Sequence, residues 1–175
     1  MTVQNLAAIA AAQTIASLSG VEQHDFALVS GSGWAKAGEL IGETTATISA
    51  DDVPGFHSSG VPGHLGTIRS IATPQGKNLL LIAARTHLYE GRGVQAVVHP
   101  IRTAAACGAK VMILTNGAGG IKDEWLPGQP VLISDHINLT ATSPLEGATF
   151  IDLTDLYSQR LRDLAKEVEP TLDEG

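Results

Sequence analysis

The sequence predicts an α/β sandwich around a mixed β-sheet, on three observations. Short apolar runs with strand character alternate with helical segments. The connections are of two kinds, a tight hairpin turn and longer helical crossovers. Two of the apolar runs stop at glycine turns, as buried strands do when they hand over to a loop or a helix. Alternation of this sort buries a sheet between helices. A chain of 175 residues has room for one such domain and its core, so 1–175 is expected to form a single domain.

The elements justify themselves in order. Met1–Leu18 is Ala-rich and apolar, but no Lys or Arg precedes the run, and Gln4, Asn5 and Gln13 interrupt it. A packed helix is therefore expected in place of a signal peptide, with Thr2 as N-cap and Leu6, Ile9, Ala10, Gln13, Ala16 and Ser17 at helical spacing. Phe26–Val29 is a short buried strand ending at Ser30-Gly31-Ser32-Gly33, and Trp34–Ile41 begins a helix. Thr44–Ser49 is β-branched and alternating, so it reads as a strand. Prolines and glycines crowd residues 54–63, which form a long irregular loop; such loops are usually functional.

Gly66–Thr73 and Asn78–Ala84 are strands joined by a turn at Pro74–Lys77. A helix spans about Gln95–Cys107, with Pro100 either kinking it or marking its first real turn. Val111–Thr115 is a buried strand ending at Asn116-Gly117-Ala118-Gly119-Gly120, and Val131–Ser134 is a further strand. Leu153–Val168 is an amphipathic helix with Leu156, Leu161, Leu164 and Val168 on one side. Glu167–Gly175 carries no core signal.

Composition narrows the function classes. Hydrophobic residues make up 43% and charged residues 17%, a globular profile. A net charge of −7 argues against nucleic acid or a membrane surface as partner, because both are polyanionic. An anionic ligand then needs a local cationic pocket. No apolar run approaches the ~20 residues that cross a bilayer, and a cytoplasmic protein is expected. The one cysteine, Cys107, permits no intramolecular disulfide and reads as a buried structural thiol.

Four segments carry chemistry. At Ser30–Gly33 the backbone can approach a ligand closely, and the helix that follows offers unpaired N–H groups; a tight turn without ligand is the equal alternative. The turn lacks both GxGxxG and GxxxxGK[ST] spacing. His64 sits among glycines in Val61–Gly66. Arg85-Thr86-His87-Leu88-Tyr89-Glu90-Gly91 follows an apolar strand. In extended geometry Arg85, His87 and Tyr89 share a side, and a guanidinium, an imidazole and a phenol together grip an oxyanion. Glu90 is placed to orient His87; its alternative is a surface ion pair with Arg85. The second glycine turn, Thr115–Gly120, leaves room for a flat ring or a phosphate oxygen. The six histidines and one cysteine show no metal-ligand spacing, and there is no GxSxG elbow.

Together these segments resemble the trimeric, low-molecular-mass purine nucleoside phosphorylases. The matching stretches are Gly31-Ser32-Gly33, Val61-Pro62-Gly63-His64, Arg85–Gly91, Thr115–Gly120 and Ser134-Asp135-His136-Ile137-Asn138-Leu139, in the family's order and near its spacing; Leu145–Phe150 is similar to bacterial members. The resemblance implies a three-layer αβα sandwich. It implies that Ser32, His64, Arg85, His87 and the Gly117 N–H hold phosphate, with His87 and its partner Glu90 in the catalytic role. Tyr89 and Phe150 match ribose contacts, Phe150 from a neighbouring subunit of a homotrimer, and Ala118 and Gly119 match the floor under the purine.

The implied reaction is reversible phosphorolysis of purine (deoxy)ribonucleosides in purine salvage, with phosphate as co-substrate and with no metal or cofactor. Family members continue beyond the point matched by Gly175. Their later part supplies a Glu and an Asn for the purine, a Met-Ser pair and a late His, none with a counterpart here. The C-terminal part of the fold is thus expected to be absent, and an apolar edge or face to be exposed. A non-catalytic remnant that binds phosphate or joins intact subunits is the alternative.

Overall fold

A computed structural model describes residues 3–34, 36–57 and 66–175. The chain forms two compact units, Met1–Gly117 and Ala118–Gly175. In the first, α1 (Val3–Ser19) precedes β1 (Phe26–Val29), α2 (Ala37–Ile41), β2 (Glu43–Ser49), β3 (Thr67–Ala72), β4 (Asn78–Ile82), α3 (Val94–Ala106) and β5 (Val111–Leu114). The sheet order is β2-β3-β4-β1-β5. β1 runs parallel to both β4 and β5, whereas β2/β3 and β3/β4 are antiparallel, so the sheet is mixed as expected.

The central strands of the sheet are buried on both faces, and side-chain alternation divides the core in two. Ala27, Val29, Ile68, Leu80 and Ile82 face Ala11, Ala12 and Ile15 of α1 and Ala104 and Cys107 at the end of α3. Leu28, Ile71, Leu79 and Leu81 form the opposite cluster, against which Ile41 of α2 packs. Gly38 allows that close approach, because a Cβ there would lie 2.6 Å from Leu81 Cδ1. Helices on both faces make the three expected layers. All of Leu79–Ile82 is buried, and each such side chain contributes about 1.5–3 kcal/mol.

The face α1 buries differs from the expected one. Ala8, Ala11, Ala12 and Ile15 are buried, while Leu6 is 54% exposed. In an Ala-rich helix, side-chain size sets the contact face: small residues let the helix axis come close to the sheet. Pro100 lies inside α3, which removes the first-turn alternative. The Thr2 cap lies outside the described residues. The Pro74–Lys77 turn closes as expected, with Gly76 at φ 72° donating to Thr73 O at 3.0 Å. β5 was expected to be buried, yet it is an edge strand, with Ile113 47% and Leu114 59% exposed. Cys107 is buried as expected, and burial pushes its thiol up to about 11.

In the second unit β6 (Val131–Leu132) pairs in parallel with β7 (Asp173–Glu174), an element for which the acidic C-terminal sequence carries no apolar signal. The helix expected from Leu153 begins later, as α4 (Gln159–Val168). Asp152 accepts the Thr154 N–H at 2.9 Å and Asp155 accepts the Gln159 N–H at 3.1 Å. These local bonds compete with helix formation ahead of Gln159. Arg162 of α4 pairs with Glu174 of β7 at 2.5 Å.

Two histidines brace the first unit. His99 Nε2 meets the Pro54 carbonyl at 2.9 Å, and its ring packs edge-on against Phe56, 5.1 Å away, fixing the chain after the 3-10 turn Ala50–Asp52 against α3. His24, 1% exposed, hydrogen-bonds Ser70 Oγ through Nε2 at 2.8 Å, and its Nδ1 has no partner among the described residues. Burial lowers its pKa below the usual 6.5, against a smaller opposing effect of Asp25. Below pH 6.5 the unfolded chain therefore takes up this proton more readily than the folded one. Stability should be full above that pH and fall as pH drops toward the folded-state value. Urea midpoints between pH 7.5 and 5.5 should decline less in His24→Gln than in the parent; equal declines would remove His24 as the cause.

Candidate functional site

Three parallel strands lie side by side in the order β4-β1-β5, with Val29 level with both Ile82 and Leu114. The segments leaving their carboxyl ends are therefore neighbours: Ser30–Gly33, Ala83–Gly91 and Thr115–Gly117. Ligands of open α/β sheets bind at such ends.

Thr115 joins these segments. Its hydroxyl accepts the Gly31 N–H at 2.8 Å and donates to the Val29 carbonyl at 3.0 Å, while its N–H donates to the same carbonyl at 3.1 Å. The backbones touch here: a Cβ on Gly31 would stand 2.2 Å from the Thr115 carbonyl oxygen, so only glycine fits. Gly117 comes next to Ser32, since its Cβ would lie 3.7 Å from that of Ser32. Arg85 Nη1 donates to the Thr115 carbonyl at 3.3 Å. Among the described residues the N–H groups of Ser32, Gly33, Asn116 and Gly117 make no hydrogen bond, and Arg85 has no carboxylate partner. Free backbone donors beside a guanidinium make a place for an anion.

His87 and Glu90 form a second group. His87 is extended, at φ −98° and ψ 149°, and the chain then turns into a single 3-10 turn, Leu88–Glu90. Glu90 Oε1 accepts both the His87 N–H at 2.7 Å and its Nδ1 at 3.0 Å. Those two bonds, the backbone one foremost, hold the Glu90 carboxyl below the usual range. His87 Nε2 has no partner among the described residues. Glu90 also faces Arg92 at 3.7 Å, so the alternative pairing with Arg85 is not formed. Period-two alternation ends at His87; Tyr89 belongs to the 3-10 turn, where it stacks on His87 with centroids 4.8 Å apart and is 77% exposed.

The structure thus brings Ser32, Arg85 and Gly117 together around Thr115, with His87, Tyr89 and Glu90 on the same β4 exit. His64 lies outside the described residues. Ala118, Gly119 and Phe150 belong to the second unit, where Phe150 is 93% exposed. That unit has a cavity of about 400 Å³ bordered by Asp135, Tyr157 and Arg162, which contains none of the predicted site residues. Sequence reasoning gave Thr115 no role beyond opening the second glycine turn, because its contact with Gly31 spans 84 positions. Among the described residues no group of three His, Cys, Asp or Glu could hold a metal ion, and no helix is long and apolar enough to cross a membrane.

Residues 25–175 match the model of the phosphorylase superfamily. The chain belongs to that superfamily. Among its relatives, a purine nucleoside phosphorylase from Cellulomonas sp is 58% identical over 174 residues, covering 97% of this chain and 62% of the relative. One from Mycobacterium tuberculosis is 49% identical over 166 residues, covering 94% and 61%. A crystal structure of isoform 2 of purine nucleoside phosphorylase from Schistosoma mansoni, in complex with cytosine and ribose-1-phosphate, superposes with a TM-score of 0.83. It is 31% identical and covers 99% of this chain and 66% of that one. The resemblance read from the five motifs is borne out, as is the phosphorylase-like αβα fold. The chain spans about three fifths of the length of the curated relatives it matches, at 62% and 61%.

Because Gly31 meets backbone and not a movable side chain, Gly31→Ala should cost about 1–3 kcal/mol of stability, as overpacking does. Chemical denaturation of the variant checks this, and an unchanged midpoint would show that the two turns can part.

Proposed function

We propose that this chain carries the phosphate-handling part of a purine nucleoside phosphorylase, an enzyme of purine salvage. The observation that carries the reading is the convergence of Ser32, Arg85 and Gly117 at neighbouring strand ends, on turns whose N–H groups at Ser32, Gly33, Asn116 and Gly117 have no partner among the described residues. In the reaction the C1′–N9 bond of a purine (deoxy)ribonucleoside breaks and a bond from C1′ to a phosphate oxygen forms. The products are free purine, which takes up a proton at its ring nitrogen, and (deoxy)ribose 1-phosphate. C1′ passes through an oxocarbenium-like state, as in glycoside cleavage, but the nucleophile is bound phosphate and not an enzyme carboxylate.

The residues divide the work. Ser32, Arg85 and the Gly117 N–H bind the dianion, joined by His64. Glu90 fixes the His87 ring through Nδ1, which presents Nε2 to phosphate or sugar. Tyr89 borders the ribose, Ala118 and Gly119 form the purine floor, and Phe150 covers the sugar of a neighbouring subunit in a homotrimer. The chain belongs to a single phosphorylase domain in the cytoplasm, with phosphate as co-substrate and neither metal nor cofactor.

A second reading rests on the same donors: the chain binds phosphate or joins intact subunits without turnover. Inosine incubated with micromolar protein and phosphate should release hypoxanthine, and no release above the blank would exclude the enzyme reading for this chain. Under the second reading millimolar phosphate still raises the melting temperature; identical melting with and without it would exclude that reading too. Arg85→Ala should weaken phosphate binding by about 2 kcal/mol, the scale of a charge-assisted hydrogen bond. Calorimetric titration with phosphate measures it, and unchanged affinity would remove Arg85 from the site.

A further inference from the structure

The anion donors of the first unit sit on segments far apart in sequence, and one residue bonds to them through its hydroxyl, its N–H and its carbonyl. We infer that Thr115 is the positioning residue of the phosphate site, an inference that rests on the phosphorolysis reading above. Its hydroxyl ties the end of β1 to the first glycine turn, accepting from Gly31 N–H and donating to Val29 O. Its N–H also goes to Val29 O, and its carbonyl takes Arg85 Nη1. One residue thereby sets the turn that carries Ser32, the guanidinium of Arg85, and its own continuation into Asn116–Gly117.

The direction of these bonds matters. By taking the Gly31 N–H, the Thr115 hydroxyl withholds that donor from an anion and leaves Ser32 and Gly33 as the donors of the turn with no partner among the described residues. On the other side the Asn116 and Gly117 N–H groups have no partner among the described residues, and Gly117 lies against Ser32. Two short arcs of N–H groups, unpaired among the described residues, thus lie beside one another, and the hydroxyl that joins their strands has its only proton committed to Val29 O, so it has no donor left for an anion. Valine has the shape of threonine and lacks both hydrogen-bonding functions, so it leaves the Gly31 N–H without its acceptor. That N–H can then swing toward the anion or toward solvent, and the donor geometry loosens. Serine keeps the hydroxyl and loses a methyl group.

The test is phosphate affinity by calorimetry on folded protein, checked by circular dichroism, for the parent, Arg85→Ala, Thr115→Val and Thr115→Ser. Thr115→Val is expected to raise the phosphate Kd about tenfold, the loss of one well-placed hydrogen bond. Thr115→Ser is expected to stay within about twofold of the parent, because the hydroxyl does the positioning. A role confined to stability would shift the melting temperature of Thr115→Val and leave its Kd at the parent's value, and that result overturns the inference. If Thr115→Val does not fold, the serine variant decides: a tenfold loss there, with the hydroxyl retained, also overturns it. A parent that binds no phosphate defeats the phosphorolysis reading itself. A parent that binds, with Arg85→Ala impaired and Thr115→Val unimpaired, defeats only the role of Thr115.

Discussion

The contact between Gly31 and Thr115 brings two strand ends so close that no Cβ fits between them. Such an approach requires that β1 and β5 be parallel neighbours in register, and the pairing of Val29 with Leu114 supplies that. It also requires polar satisfaction, since a crowded backbone turn with an unpaired N–H is costly. The Thr115 hydroxyl meets the requirement locally. The rest of the first unit's anion site refers to this contact: the bond from Arg85 to the Thr115 carbonyl and the nearness of Ser32 and Gly117.

The electrostatic design is local. The chain carries a formal charge of −7, so its overall field repels an anion. Against that field the site offers one guanidinium free of any described carboxylate and a set of backbone dipoles. Glu90 is the nearest threat to this arrangement in sequence. Its carboxylate is engaged instead by the backbone and ring of His87 and by Arg92, which spends the negative charge on orienting an imidazole. A 3-10 turn only three residues long, closed by Gly91 in the left-handed region at φ 74°, makes that engagement geometrically possible.

Legibility followed the range of the interactions. Phe26–Val29 was readable to the residue, because an apolar run ended by glycines has one structural meaning, and the hairpin turn at Gly76 was equally plain. The buried face of α1 was not, because alanine is nearly neutral in hydrophobicity while the sheet selects on size. α4 started late because Asp152 and Asp155 captured nearby N–H groups, a competition between two local options that a hydrophobic pattern does not rank. β7 has only Asp and Glu in its strand, so its pairing with β6 left no trace in apolar periodicity.

The sequence by itself determined which residues are available for chemistry. A serine among glycines, an Arg-x-His-x-Tyr-Glu run and a second glycine turn each follow a short apolar strand, and their ordered coincidence points to a phosphorylase. The reason is local: turns, strand ends and side-chain types are written in adjacent residues. The tertiary structure alone decided which of them meet. Thr115 acts on Gly31 and Val29 across more than 80 positions and on Arg85 across 30, through a parallel pairing that depends on the whole sheet being packed. Contacts of that range are paid for only when the core closes, so the sequence shows the parts of the anion site and the fold assembles them.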